Sequence, residues 1–165
     1  MPTTLCTKVR HIYDRVPNSI NSKIIEDFHS YMKDNATSDR HQNNNLKAIT
    51  ALAKFLGSET TFYQISTKDQ VTEFLDTKIR SDSDDPERRW ITTWNDYLVR
   101  IKHFFRWLHS HETKSANEEE NDLSSSLADW YTPAFVKIKT KRTKRLSPYQ
   151  KNEICDIEGE LIKQL

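Results

Sequence analysis

Only two glycines, Gly57 and Gly159, and five prolines occur in 165 residues. A β-sandwich or barrel needs a turn signal about every 8–12 residues, and a phosphate-cradling loop needs clustered glycines, so both are excluded. The chain is predicted to be all-α. No apolar run approaches the ~20 residues that span a bilayer, and charges interrupt the opening MPTTLCTKVRHIYDR where a secretory signal is apolar. A cytoplasmic protein without a membrane partner is the expectation. Cys6 and Cys155 lie at opposite ends of the chain, so neither a disulfide framework nor a Cys-x-x-Cys knuckle can be built, and reduced thiols fit that compartment.

Periodicity predicts four amphipathic helices after an arm at 1–17. The first, 19–34, carries Ile20, Ile24, Ile25, Phe28, Tyr31 and Met32 at helical spacing. The second runs from Ser38, an N-cap type, to Gly57, a C′ type, with Leu46, Ile49, Leu52, Ala53, Phe55 and Leu56 on one face. Thr67 and Gln70 have capping-box spacing and open a third helix bearing Val71, Phe74, Leu75 and Ile79. Pro86 suits a first helical turn, and the fourth and longest helix extends from there to about His109 with Trp90, Trp94, Tyr97, Leu98, Ile101, Phe104, Phe105 and Leu108 inward. The core domain is thus placed at 18–111. An acidic, Ser-rich loop follows at 112–129, then a basic linker at 130–146, whose alternation of Val136 and Ile138 with lysines predicts an extended strap. Ser147, Pro148 and Gln150 open a last helix over 147–165 with Ile154, Ile157, Leu161, Ile162 and Leu165 on one side. An apolar stripe of that size rarely stays bare, and self-association through 148–165 is expected, with docking on the four-helix core or fraying as the alternatives.

Net charge is +1, yet the charge is segregated. Seven basic residues and no acid lie between Trp130 and Lys151, leaving the rest of the chain net acidic. On the fourth helix, opposite its apolar stripe, stand Arg88, Arg89, Thr92, Thr93, Asn95, Arg100, Lys102, His103 and Arg106, with Asp96 the sole acid among them. A solvated helix face normally mixes both signs. On the second helix Arg40, Asn43, Asn44, Lys47, Thr50 and Lys54 occupy the equivalent arc. Arginine and asparagine can contact guanine and adenine edges bidentately. Two such faces, with Lys139, Lys141, Arg142, Lys144 and Arg145 of the linker, point to double-stranded DNA as partner. Trp107 falls on the polar arc, either capping the core or serving as an interface aromatic.

No catalytic or metal site, and no cofactor, is predicted. The six histidines are not spaced to converge three metal ligands, and Ser124, Ser125 and Ser126 have no adjacent base.

The succession NNNLKAITALAKFLG, ISTKDQVTEFLDTKI, TTWNDYLVRIKHFFRWL and WYTPAFVKIKTKRTKRLSPYQKNEI, over about 38–158, resembles the N-terminal part of the tyrosine recombinases of the phage-integrase family, most of all the archaeal integrases. The helix ending Phe104-Phe105-Arg106-Trp107-Leu108, followed by Pro133, the basic linker and Leu146-Ser147-Pro148, carries the likeness most specifically. It implies a helical, SAM-like core-binding domain on one side of the DNA, with two helices, by resemblance the second and fourth, entering the major groove. The linker would cross to a catalytic domain that cleaves and rejoins strands, and other protomers would assemble on the same DNA. The family's arginines, lysine, His-x-x-Arg and tyrosine nucleophile belong to that second domain, of which 147–165 would be the first helix. His103 and Arg106 imitate the His-x-x-Arg, but they sit inside the core-binding helix, and Tyr131 lies in a Pro-flanked linker, so neither is assigned a catalytic role. The expected function is to hold one face of a recombination half-site; a helical protein-interaction module or a small DNA-binding regulator is the alternative.

Overall fold

The computed structural model describes residues 15–116 and 132–142, which hold four α-helices and no strand. Helix α1 spans Ser19–Asp34, α2 Asp39–Leu56, α3 Lys68–Asp76 and α4 Trp90–Ala116, with 3₁₀ turns at Phe62–Gln64 and Ala134–Val136. Helix α4 packs against α1, α2 and α3, with its most extensive contact on α2.

Local chemistry sets the helix ends. Asn18 caps α1 by accepting from the amides of Ile20 and Asn21 at 2.9 and 3.1 Å. Its own amide donates to the Ser58 carbonyl at 2.7 Å. Buried Asn21 donates to the Thr60 carbonyl and accepts from the Phe62 amide, both at 2.9 Å, so the capping Asn18 and Asn21 of α1 together fasten the loop that follows α2. Gly57 ends α2 at φ +77°, a conformation that favours glycine. Thr67 and Gln70 form the predicted capping box at the start of α3.

The fourth helix differs from its predicted span at both ends. It begins at Trp90, because Arg88 adopts φ +51° and breaks any continuation from Pro86; the Asp85 carboxylate accepts from the Trp90 amide at 2.8 Å instead. It runs on to Ala116, into the segment expected to be loop, since Glu112 to Ala116 contains no helix breaker. Helix α3 stops at Asp76, and Ile79 beyond it is 44% exposed. Ile20, Tyr31 and Phe55 also reach solvent despite their apolar spacing, while Thr50, placed on the polar arc, is buried.

An aromatic cluster occupies the centre. Phe104 lies 4.8 Å from Phe62, 5.2 Å from Phe28 and 5.2 Å from Phe105 between ring centroids. Trp107 is 8% exposed and packs on Phe28 at 5.0 Å, closing this core at one end. The strap completes it from the other side. Val136 is fully buried, and Phe135 meets Phe105 edge-on at 5.1 Å.

Residues 117–131 of the expected acidic loop and linker and the helix expected at 147–165 lie outside the described residues, as do Cys6, Cys155, Lys144 and Arg145. No described helix is long and apolar enough to cross a membrane.

Candidate nucleic-acid interface

The strap runs antiparallel to α4. The Thr132 hydroxyl accepts from Arg106 Nε at 3.2 Å, the Ile138 carbonyl from Lys102 Nζ at 2.8 Å, and the Lys141 carbonyl from Asn95 Nδ2 at 2.8 Å. Asn95 Oδ1 accepts in return from the Lys141 amide at 2.8 Å, so one side chain satisfies both backbone groups of that residue. The ammonium of Lys141 sits 4.8 Å from the Trp94 ring centroid and 5.9 Å from that of Trp90. An extended segment outside a sheet has unpaired backbone groups that need partners. Helix α4 supplies them.

These contacts reassign several candidate residues. Asn95, Lys102 and Arg106 commit polar atoms to the strap, and Lys141 is stacked on tryptophan. Arg100 forks onto Asp96 at 2.8 and 2.9 Å and reaches Asn45 Oδ1 at 3.4 Å, which leaves its side chain only 13% exposed. Arg88 and Arg89 stand apart from the face, paired with Asp82 at 3.0 Å and Glu87 at 2.6 Å in the acidic turn before α4. Of the remaining candidates, Arg40, Asn44, Lys47, Thr92, Lys139 and Arg142 are exposed, and Asn43 is half-buried.

What the structure brings together is α2, α4 and the strap as one continuous surface. The His41 and His103 rings approach to 6.3 Å across the α2–α4 seam. Lys78, just past α3, lies over the rings of Phe74 and Tyr97 at 5.0 and 4.7 Å, and its pKa is lowered by burial and then by nearby Lys47. Burial, followed by Arg106, likewise lowers that of Lys102. The three elements present Arg40, Lys47 and Lys54, then Arg100, Lys102 and Arg106, then Lys137, Lys139, Lys141 and Arg142. From Arg40 to Gly57, from Trp90 to His111 and along 132–142 there is one carboxylate, Asp96. The other acids of the described residues lie on α1 and α3, at Asp39, at Glu59, in the turn at 81–87 and at Glu112 near the end of α4. Such a surface attracts a polyanion and repels an acidic partner.

Sequence reasoning missed Val99. It sits in the middle of the α4 arc at 58% exposure, the most open of the large apolar side chains described. The packing of two imidazoles, buried His29 and half-buried His103, was also illegible. His29 bonds Gln42 at 3.1 Å, and its pKa is lowered by burial first and then by Lys33, against the raising effect of Gln42. His103 is lowered by burial first, then by His41, Arg106 and Arg100.

Both histidines therefore stay neutral in the fold at a pH where the unfolded chain, with imidazoles near 6.5, takes up protons. Stability should be full above that value and fall as pH drops below it, until the folded values are reached. Melting temperature is expected to decline between about pH 7.5 and 5.5, and His103→Gln should flatten the decline. An unchanged melting temperature across that range would show that the imidazoles are not held neutral.

Among the described residues no three His, Cys, Asp or Glu side chains gather as metal ligands. No family model, curated protein or solved structure matches this chain, so the interface stands on its own geometry.

Proposed function

We propose that this helical unit is a SAM-like core-binding domain of the tyrosine-recombinase type, which holds one face of a recombination half-site in duplex DNA. In this reading strand cleavage and rejoining belong to a separate catalytic domain, and other protomers share the DNA. The observation that carries the reading is the joining of α2, α4 and the strap into a surface on which Asp96 is the one carboxylate within Arg40–Gly57, Trp90–His111 and 132–142. Resemblance independently picks α2 and α4 as the groove-facing helices. Phosphate contacts from Lys and Arg would supply most of the affinity, and a few exposed groups on α2 and α4 the base contacts.

The test is duplex binding by fluorescence anisotropy after Arg40, Lys47, Lys139 and Arg142 are changed to Ala. All four are exposed and none is among the α4 side chains that pin the strap. Affinity should fall, and the log–log salt dependence should become shallower by about one unit of slope for each phosphate that is no longer neutralised. Lys33→Ala with Lys68→Ala, exposed cations on α1 and at the start of α3, should change neither. Equal losses in both sets would assign the binding to net charge alone.

A further inference from the structure

The polar line of α4 spaced i, i+4, i+7, i+11 reads Thr92, Asp96, Val99 and His103; the first three are exposed, and His103 is half-buried, its ring 5.5 Å from that of Phe28. The strap holds one flank of this line through Asn95, Lys102 and Arg106. On the other flank α2 holds Arg100 through Asn45 and brings His41 toward His103. Between these flanks stands Val99, 58% exposed, with polar neighbours one turn away on each side, Asn95 and Asp96 before it and Lys102 and His103 after it.

Nothing in the fold accounts for an apolar residue there. Val99 does not belong to the core cluster, and a β-branched residue on an exposed helix surface lowers helix propensity. A lone exposed apolar side chain needs no explanation in general, but this one occupies the centre of a cationic ridge. Among the described residues the other large apolar side chains exposed to solvent, Ile20, Tyr31, Phe55, Tyr63 and Ile79, lie on neither α4 nor the strap, and Phe55 on α2 meets Phe74 of α3. Val99 is therefore not part of an apolar patch of the size a protein partner would bury. Its setting fits a contact one methyl wide, made by a surface otherwise adapted to phosphate. In duplex DNA the major groove offers one such group, the C5-methyl of thymine.

Resting on the DNA-binding reading above, we infer that Val99 is a specificity-determining residue that packs on a thymine methyl when α4 lies in the major groove. The residues otherwise best suited to base readout on this helix, Asn95 and Arg100, are occupied by the strap and by Asp96. Direct readout by α4 then falls to the exposed members of the line, Thr92, Asp96 and Val99, of which Val99 is the apolar one.

The experiment uses a duplex enriched from a random pool by the protein itself, compared with the same duplex carrying deoxyuridine in place of each thymine in turn. Deoxyuridine lacks only the methyl. At one position the substitution should weaken wild-type binding roughly fourfold, the value of one buried methyl group. Val99→Ala folds normally, because the side chain is exposed and alanine favours helix; it should bind the two duplexes equally. Val99→Thr, which keeps one of the two methyls, should retain part of the difference. If no thymine is distinguished from deoxyuridine, or if Val99→Ala distinguishes them as the wild type does, the methyl contact is overturned while salt-dependent binding remains. Absence of binding to either duplex would overturn the DNA reading beneath it.

Discussion

Phe104→Ala should lower stability by about 3–5 kcal/mol, the range for truncating a fully buried phenylalanine. The ring is wholly inside and sits within 6 Å of Phe28, Phe62, Phe105 and Trp107, so the surroundings cannot collapse onto the void without moving α1, α4 and the turn at Phe62–Gln64. In a unit of about this size that is a fall in melting temperature on the order of 15 °C. Phe55→Ala is the matched control. Phe55 shares the predicted apolar stripe of α2 but is 45% exposed and meets Phe74 at 5.5 Å along one side only. Its loss should cost well under half as much. Thermal denaturation of the two variants measures the contrast, and similar losses would show that the aromatic cluster is not the centre of the core.

Val136→Asp should release the strap while leaving the four helices folded. Val136 is fully buried against the helices, and exposing a valine forfeits about 1.5–3 kcal/mol. Keeping an unpaired carboxylate in that site would cost more still, so the strap lifts away. Three consequences are expected together. Trypsin should cut rapidly at Lys137, Lys139, Lys141 and Arg142, the emission of Trp94 should change as the Lys141 ammonium leaves its ring, and the salt dependence of DNA binding should weaken as the strap cations disperse. A strap that stays protected from trypsin would contradict its attachment through Val136.

Helix existence and type were legible because periodicity and caps agree. Asn18, Gly57 and the Thr67–Gln70 box stand at helix ends, Ser38 precedes α2 without a side-chain cap bond, and α1 begins and ends where its stripe does. The start of α4 was not legible, because Pro86 is compatible with a first turn and only the left-handed backbone at Arg88 cancels it. The site was half legible. A polar arc shows that side chains avoid the core, but it does not say whether they meet solvent, a ligand or the chain's own backbone. Asn95 and Lys102 illustrate this, since their partners are backbone groups 46 and 36 residues away. Likewise Arg88 and Arg89 read as free cations until the turn at 81–87 brings Asp82 and Glu87 against them. Val99 left no signal, because one apolar residue between two arcs belongs to neither pattern.

The central claim, that α2, α4 and the strap form a surface for duplex DNA, is tested most directly by the salt dependence of binding to the unmodified protein. If roughly six phosphates are neutralised, log affinity against log salt should have a slope of about −5, and affinity should fall on the order of a thousandfold between 50 and 200 mM. A flat dependence, or no duplex binding at the lower salt, would contradict the account.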